Sequence, residues 1–447
     1  MGHSDYRRLA MTTNPTDGNS QRFLGTVEEN YLPRVVDSEM REVLSASPAM
    51  LIEGPRGCGK TWTGRRFAAS EILIDTTIRA RLAANADPAV LLEGPAPLLV
   101  DEWQLAPDIW NPLRRACDDR QRPGQFILTG SADPPDDTTR HSGAGRVLRV
   151  RMRPMSLYES GDSEGSISLM GLFESGKYTA RDSGHHLNDI VALACRGGWP
   201  NLVATQASSA AALRVLRGYL EEISRTDVAR VDGVSRNPVG VRRLLESLAR
   251  NVATEASYST LANDTSGTEA GIDRRTVAAY LTALNRLFVV EDLPAWRPHI
   301  MSRSALRKTP KRHFVDPSLA AAALGLMPDA VMAELKYAGL LFESMAVRDL
   351  RVYAQANGCN ISHYRDSDGL EVDAVVSRSD GAWIAIEVKL GGEVPIDKGV
   401  RTLRRLYERV DPDRTGKPAR LVVLTAGGYG YEHPDGVTVV PITALGP

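Results

Sequence analysis

Residues 54–61 read GPRGCGKT. Gly54, Gly59, Lys60 and Thr61 fill every fixed position of the G-x-x-x-x-G-K-[ST] spacing, with Pro55, Arg56, Gly57 and Cys58 between them. Glycines let the backbone take positive φ and turn successive N–H groups toward anionic oxygens, and a helix starting there presents its positive dipole end to the same anion. Lys60 is expected to reach the β and γ phosphates of ATP, and Thr61 to place its hydroxyl on Mg2+. The plain alternative is an unliganded glycine turn between a strand and a helix. A second signal downstream argues against it: APLLVDEW, residues 96–103, is an apolar run ending in Asp101 and Glu102. A P-loop fold needs a magnesium-coordinating acid at such a strand end, so Asp101 would hold the Mg2+ water shell. Glu102 would polarise the attacking water as catalytic base, or else it is a solvated loop acid.

The next apolar run, QFILTGSAD at 125–133, ends in Thr129 and Ser131, whose hydroxyls could contact the γ phosphate or the water. In GAGRVLRVRMRP the arginines Arg149, Arg151 and Arg153 alternate with apolar residues, which predicts a half-buried strand with its arginines on the solvent face. Arg146, just before it, could complete a neighbouring subunit's site as an arginine finger, or be an ordinary surface arginine.

The back half holds a second set of chemistry-bearing residues. Glu387 and Lys389 in AWIAIEVKLGG are one residue apart, which puts both on the same face of a strand. Asp373 lies on a neighbouring predicted strand, and Glu343 on the preceding helix, GLLFESMAVRDLRVYAQANG. The ordered set Glu343, Asp373, Glu387 and Lys389 is the arrangement that an Asp…Glu-x-Lys nuclease site uses. There the carboxylates would bind Mg2+ and the lysine would stabilise an incoming hydroxide or the pentavalent phosphate. Two alternatives stay open: a buried salt-bridge cluster without activity, and an edge strand whose charges face water.

The elements that must position these groups follow from periodicity. The front reads as strand, loop, helix, then further strands. Residues 186–230 carry apolar residues at three and four spacing and predict amphipathic helices packed on the front domain. Between 236 and 300 come a helix, a short helix, a second helix beginning near Asp273 and an apolar strand, the order of a winged helix-turn-helix. Arg274 and Arg275 would sit at the exposed start of its recognition helix and suit phosphate and base edges. Docking on the nucleotide domain or on another protein is the competing use of such a fold.

GPRGCGKT, LLVDEW, ILTGSAD, the MRPMSLYE stretch and GGWP at 197–200 together resemble the prokaryotic family of AAA-type ATPases that carry a C-terminal domain of unknown function. The resemblance covers nearly the whole chain after about Glu29. It implies an α/β protein with one P-loop AAA-type ATPase domain, a helical and winged-helix middle, and a tail similar to restriction-endonuclease-like α/β folds. Gly197, Gly198 and Pro200 match a family landmark whose purpose the sequence does not give. The expected organisation is a flexible tail over 1–30, the ATPase domain over 31–165, a helical region over 166–235, the winged helix over 236–310 and the nuclease-like domain over 311–447.

Length and charge bound the rest. The chain has 447 residues, 54 basic and 55 acidic side chains and 43% hydrophobic residues, ordinary globular composition that excludes collagen, global disorder and coiled-coil arrays. No run approaches the roughly 18 apolar residues of a bilayer span, and the N-terminus lacks a signal-peptide core, so a cytoplasmic, non-membrane protein is expected. Four scattered cysteines read as reduced, buried thiols, and the pair His185 and His186 lacks helical metal spacing. Near-neutrality is an average: residues 236–310 hold 11 basic and 7 acidic side chains, while 311–447 hold 16 and 18. Six basic residues and no acid lie between Leu293 and Val315, a stretch that could neutralise phosphates or be a solvated strand. The expected cofactors are ATP and Mg2+. The expected partners are DNA or RNA, a protein, or further copies of the chain. The reading is an ATPase coupling nucleotide state to a nuclease-like tail; the alternative is an ATP-dependent switch whose tail is an inactive binding platform.

Overall fold

The computed structural model describes residues 31–75, 82, 86–132, 142–231, 233–266, 271–297 and 309–447. The tail expected over 1–30 and the basic residues Arg303, Arg307 and Lys308 lie outside the described residues.

Five strands form the front sheet: β1 (Ala49–Glu53), β2 (Ser70–Leu73), β3 (Leu98–Asp101), β4 (Phe126–Gly130) and β5 (Val147–Arg151). All neighbours are parallel, in the order β2-β3-β4-β1-β5. Continuous apolar runs are what parallel strands covered on both faces require. Ala49 and Leu51 face one core with Leu98, Val100, Phe126 and Leu128, while Met50 and Ile52 face the other with Leu99 and Ile127. Helix α1 (Asp37–Ala46) precedes β1, α2 (Lys60–Phe67) follows it, and α3 (Trp110–Arg120) leads into β4. Because β4 lies between β1 and β3, its C-terminal end separates the loop after β1 from the acids after β3. A short helix, α4 (Leu157–Ser160), capped by Ser156 and Glu159, closes the front domain.

The helical region contains α5 (Leu187–Arg196), α6 (Pro200–Ala204) and α7 (Ser209–Glu222), the last continuing into a π-helical stretch, Ile223–Asp227. Gly197 to Pro200 joins α5 to α6. The Gly198 carbonyl accepts from the Met155 N–H at 2.6 Å, and a Cβ at Gly198 would stand 1.8 Å from the Met155 carbonyl oxygen. Glycine is therefore required there by close backbone approach, the purpose of the GGWP landmark that sequence alone left open.

Helices α8 (Pro238–Arg250), α9 (Tyr258–Asp264) and α10 (Arg274–Arg286) come next, with α10 capped by Asp273 as its position in the sequence suggests. Two extended segments follow, paired antiparallel through Val290 with Phe314 and Leu293 with Lys311. The boundary expected at 310 cuts this pairing. The C-terminal domain consists of α11 (Pro317–Ala323), the long α12 (Leu335–Ala356), β6 (Asn360–Arg365), β7 (Glu371–Ser377), β8 (Trp383–Lys389), α13 (Glu393–Arg409), β9 (Arg420–Thr425), β10 (Tyr431–Glu432) and β11 (Thr438–Pro441). Its mixed sheet runs β10-β11-β9-β8-β7-β6. Helix α12 covers one face through Leu341, Phe342 and Met345, and α13 covers the other through Val400, Leu403 and Leu406. At the chain's end Leu445 and Gly446 pair parallel with Ile167 and Ser168, clasping the tail to the segment after the front domain.

Two expectations about arginines and lysines are corrected. Only Arg149 of the three β5-region arginines is solvent-facing. Arg151 lies 4.0 Å from the centre of the Phe288 ring, and Arg153 pairs with Glu291 at 2.7 Å, because the segment after α10 packs on that side. In the basic stretch before Val315, Lys311 and Arg312 are not solvated: they are 1% and 4% exposed, each inside an ion-paired site. Three of the four cysteines are buried and all are free, as the sequence indicates. No helix among the described residues is long and apolar enough to cross a membrane.

Replacing Gly198 by Ala is expected to destabilise the protein by about 1–3 kcal/mol, the usual cost of forced overpacking. Chemical denaturation of the variant beside the wild type measures it.

Candidate functional site

The front site is assembled from three strand ends. Glycine 59, at φ 103°, caps α2 in a conformation open to glycine, and delivers Lys60 and Thr61 into the first turn. Lys60 is 5% exposed and its Nζ donates to the carbonyls of Gly54 and Pro55, each at 2.9 Å. Thr61 donates its hydroxyl to Asp101 Oδ1 at 2.8 Å, and Thr129 donates to the same oxygen at 2.5 Å. Burial pushes the Asp101 carboxyl upward, opposed by these two hydroxyl donors.

Glu102 occupies the left-handed region, φ 54° and ψ 46°. That is an uncommon place for glutamate, and the neighbours hold it there. Its N–H donates to Thr129 Oγ1 at 3.0 Å, and its carboxylate accepts from Ser131 Oγ at 2.9 Å and from the Gln104 side-chain amide. Thr129 therefore ties the two acids together, while Ser131 and Gln104 aim Glu102. A cavity of about 590 Å3 opens over this constellation, lined among others by Lys60, Thr61, Glu102, Tyr31, Trp62 and Pro200.

The loop is supported from below by a residue that sequence reasoning did not single out. Arg34, buried, donates to the Cys58 carbonyl at 2.8 Å and to the Arg153 carbonyl at 2.7 Å, and pairs with Glu159 at 3.0 Å. Gln104, two residues beyond Glu102, was likewise missed, although its spacing could have suggested it. Nothing in the linear spacing announces Arg34. Arg146 stands before β5, at the N-terminal end of the sheet and thus opposite the loop, with its guanidinium on Asp118 at 2.6 Å. It does not approach this chain's own site.

The C-terminal residues do come together. Lys389 Nζ lies 2.5 Å from Glu387 and 3.4 Å from Asp373, which also accepts from the Val388 N–H at 2.9 Å. The unexpected member is Lys311, whose Nζ reaches Glu343 at 2.7 Å, Glu371 at 2.9 Å and Asp373 at 3.1 Å. Burial pushes the Glu343 and Glu387 carboxyls upward, and the nearby Asp373 charge adds to it. Burial would raise Asp373 as well, but Lys311, Lys389 and the Val388 N–H outweigh it and hold that carboxyl low. Arg274 and Arg275 are exposed at the start of α10, away from both clusters in the chain's order of elements.

Residues 46–161 match the family model described as AAA domain, and residues 187–330 and 338–445 match two models described as domains of unknown function. The front of this chain is a P-loop AAA-type ATPase domain. Two uncharacterised proteins, of Mycobacterium bovis and Mycobacterium tuberculosis, are each 27% identical over 409 residues, 90% of this chain and 82% of theirs. Among solved structures, the Walker-type ATPase of Pyrococcus abyssi is 15% identical with a TM-score of 0.41, covering 66% of this chain and 97% of that one. The RuvB Holliday junction branch migration motor of Thermotoga maritima is 15% identical with a TM-score of 0.25, covering 61% and 90%. Both scores are low, and the architecture stands on the strand order and the loop geometry above.

The ATPase domain meets the rest of the chain through a buried polar hub. Arg348 on α12 pairs with Asp316 at 2.9 Å and with Asp349 at 2.7 Å. Asp316 accepts the Gly198 N–H at 3.0 Å, and Asp349 accepts the Leu157 N–H at 3.1 Å. Pro200, two residues beyond Gly198, lines the cavity over the front site. Asp316 is thus a structural anchor.

Substituting Lys311 by Met leaves buried carboxylates without their cation. The expected loss is about 3–5 kcal/mol, the range for breaking one side of a buried pair, read by denaturant unfolding. A loss below about 1 kcal/mol would show that the lysine is not the cluster's principal counter-charge.

Proposed function

We propose that this chain binds ATP with Mg2+, hydrolyses it, and uses its nucleotide state to set the disposition of a C-terminal binding platform. The observation that carries the proposal is the joint placement of Lys60, Thr61 and Glu102 along one cavity, with Asp101, Thr129 and Ser131 hydrogen-bonded to Thr61 and Glu102. Gly54 to Gly59 would turn backbone N–H groups to the phosphates, and Lys60 would leave its loop carbonyls for the β and γ oxygens. The hydroxyl of Thr61 and the carboxylate of Asp101 are hard oxygen donors on adjoining elements, a donor set that fits Mg2+. Mg2+, when bound, would neutralise charge on the phosphate oxygens. Glu102, oriented by Ser131 and Gln104, is placed to accept a proton from the attacking water, and Thr129 keeps Asp101 and Glu102 in register.

The platform reading of the tail rests on Lys311. Its ammonium sits among Glu343, Glu371 and Asp373 and takes up the carboxylate oxygens that a divalent cation would need, so the residues as placed do not fit a metal. The nuclease reading draws on the meeting of Glu343, Asp373, Glu387 and Lys389 in one cluster. The partner class proposed for the middle is nucleic acid, DNA or RNA: α8 to α10 followed by the antiparallel segments has the order of a winged helix, with Arg274 and Arg275 outward on α10. The domain limits at 31–165, 166–235, 236–310 and 311–447 remain a proposed division of labour, although one hydrophobic cluster runs from Leu157 to Leu445 across all four.

Glu102→Gln is expected to lower the ATP turnover number by about a hundredfold or more while retaining nucleotide binding, the size of effect that loss of a general base produces. Unchanged turnover would remove Glu102 from that role. With ATP-active wild-type protein and labelled DNA or RNA, no Mg2+-dependent cleavage is expected. Cleavage that Asp373→Ala abolishes would instead establish the nuclease reading.

A further inference from the structure

Arg56 sits in the middle of the phosphate-binding loop, at a position the motif leaves free. Its guanidinium is 3.2 Å from Asp227, the last residue of the π-helical stretch that ends α7. The two side chains differ sharply in surroundings: that of Arg56 is 52% exposed, that of Asp227 only 10%. π-Helical turns interrupt regular helices and concentrate at functional sites, since one extra residue must be accommodated in the turn. The same helix also approaches the loop through an aromatic pair: Trp199 packs against Tyr219 of α7 with ring centroids 5.1 Å apart, and a Cβ built at Gly57 would stand 3.9 Å from the Trp199 ring. Asp227 also lies close enough to Glu102 to feel its charge, along with Glu222, Arg230 and Arg56. Burial pushes its carboxyl upward, Arg56 opposing.

We infer that Arg56 and Asp227 form an ionic latch between the phosphate-binding loop and the helical region, which a nucleoside triphosphate weakens and a diphosphate does not. This rests on the nucleotide reading above. A γ phosphate adds negative charge beside Glu102, close to Asp227, and offers Arg56 an anion that competes with the carboxylate. The triphosphate-bound loop therefore holds the guanidinium less firmly on Asp227, and the π-helical stretch is the element left free to adjust. By linkage, a ligand that loosens a contact binds more tightly once that contact is gone. Asp227 is a positioning residue in this scheme, since it acts on the loop through Arg56.

The test is isothermal titration of ATP and ADP, in the presence of Mg2+, into full-length wild type, Asp227→Asn, Arg56→Gln and the double variant, with thermal melts as the check on folding. Asp227→Asn is expected to tighten ATP by about fivefold, the scale of a partly exposed ion pair, and to tighten ADP less. In the Arg56→Gln background the Asp227→Asn change should have little effect on the ATP-to-ADP ratio. A folded Asp227→Asn protein with unchanged or weaker ATP binding overturns the latch. So does an equal gain for both nucleotides, or the same gain with and without Arg56, since either would reflect general electrostatics. If Asp227→Asn fails to fold, Asp227→Glu, which keeps the charge at a different reach, must alter the ATP-to-ADP ratio for the latch to stand. Wild-type protein that binds no ATP would instead overturn the nucleotide reading itself.

Discussion

The buried guanidinium of Arg348 is the constraint around which the domains are assembled. It lies between Asp316 and Asp349, all three essentially removed from water. Taking such charges out of solvent is costly, and only near-ideal pairing offsets it. Here the pairing is supplemented by backbone donors from two other parts of the chain, Gly198 from the helical region and Leu157 from the edge of the ATPase domain. Burial pushes Asp349 up to about 6, with Arg348 and the Leu157 N–H working against it. Separating the domains would leave these charges unpaired in an apolar surround, so the hub specifies one arrangement of ATPase domain, helical region and tail.

From that hub the consequences run in two directions along stiff elements. Toward the nucleotide, the Gly197–Pro200 turn carries Pro200 to the cavity, and the α4 cap carries Glu159 to Arg34, which supports the loop at the Cys58 carbonyl. Toward the tail, α12 leads from Arg348 back to Glu343, about 7.5 Å of helical rise away, at the C-terminal charge cluster. One helix thus carries both the hub arginine and a carboxylate of the C-terminal cluster. The helical region and the Lys311 cluster are joined through α12, which meets Gly198 by way of Asp316 and carries Glu343. This contiguity supplies a physical route for coupling, and the two arrangements it would connect are those distinguished by the Arg56 and Asp227 contact.

Much of the front site was legible in the chain. Gly54 to Thr61, Asp101, Glu102, Thr129 and Ser131 each carry their chemistry in local patterns: a glycine turn before a helix, acids at a strand end, hydroxyls at the next. The helix start at Asp273, the Glu-x-Lys face of β8 and the strand bearing Asp373 were readable for the same reason, because periodicity and capping are short-range. What was not readable are the groups whose role depends on remote partners. Lys311 looked like one of a run of surface bases, and Arg151 and Arg153 like a solvent face.

The sequence by itself determined that a strand, glycine turn and helix with acids at a following strand end stand at the front, that helices follow, and that the tail is an α/β unit with charges on one strand face. These features are set by interactions within a few residues. Tertiary structure alone decided that Lys311 fills the carboxylate cradle, that Gly198 must be glycine, that Arg34 braces the glycine-rich loop from within the front domain, and that Arg348 binds the domains together. The physical reason is that a charge or a backbone approach has meaning only with its partner, and these partners are brought close by packing between elements far apart in the chain.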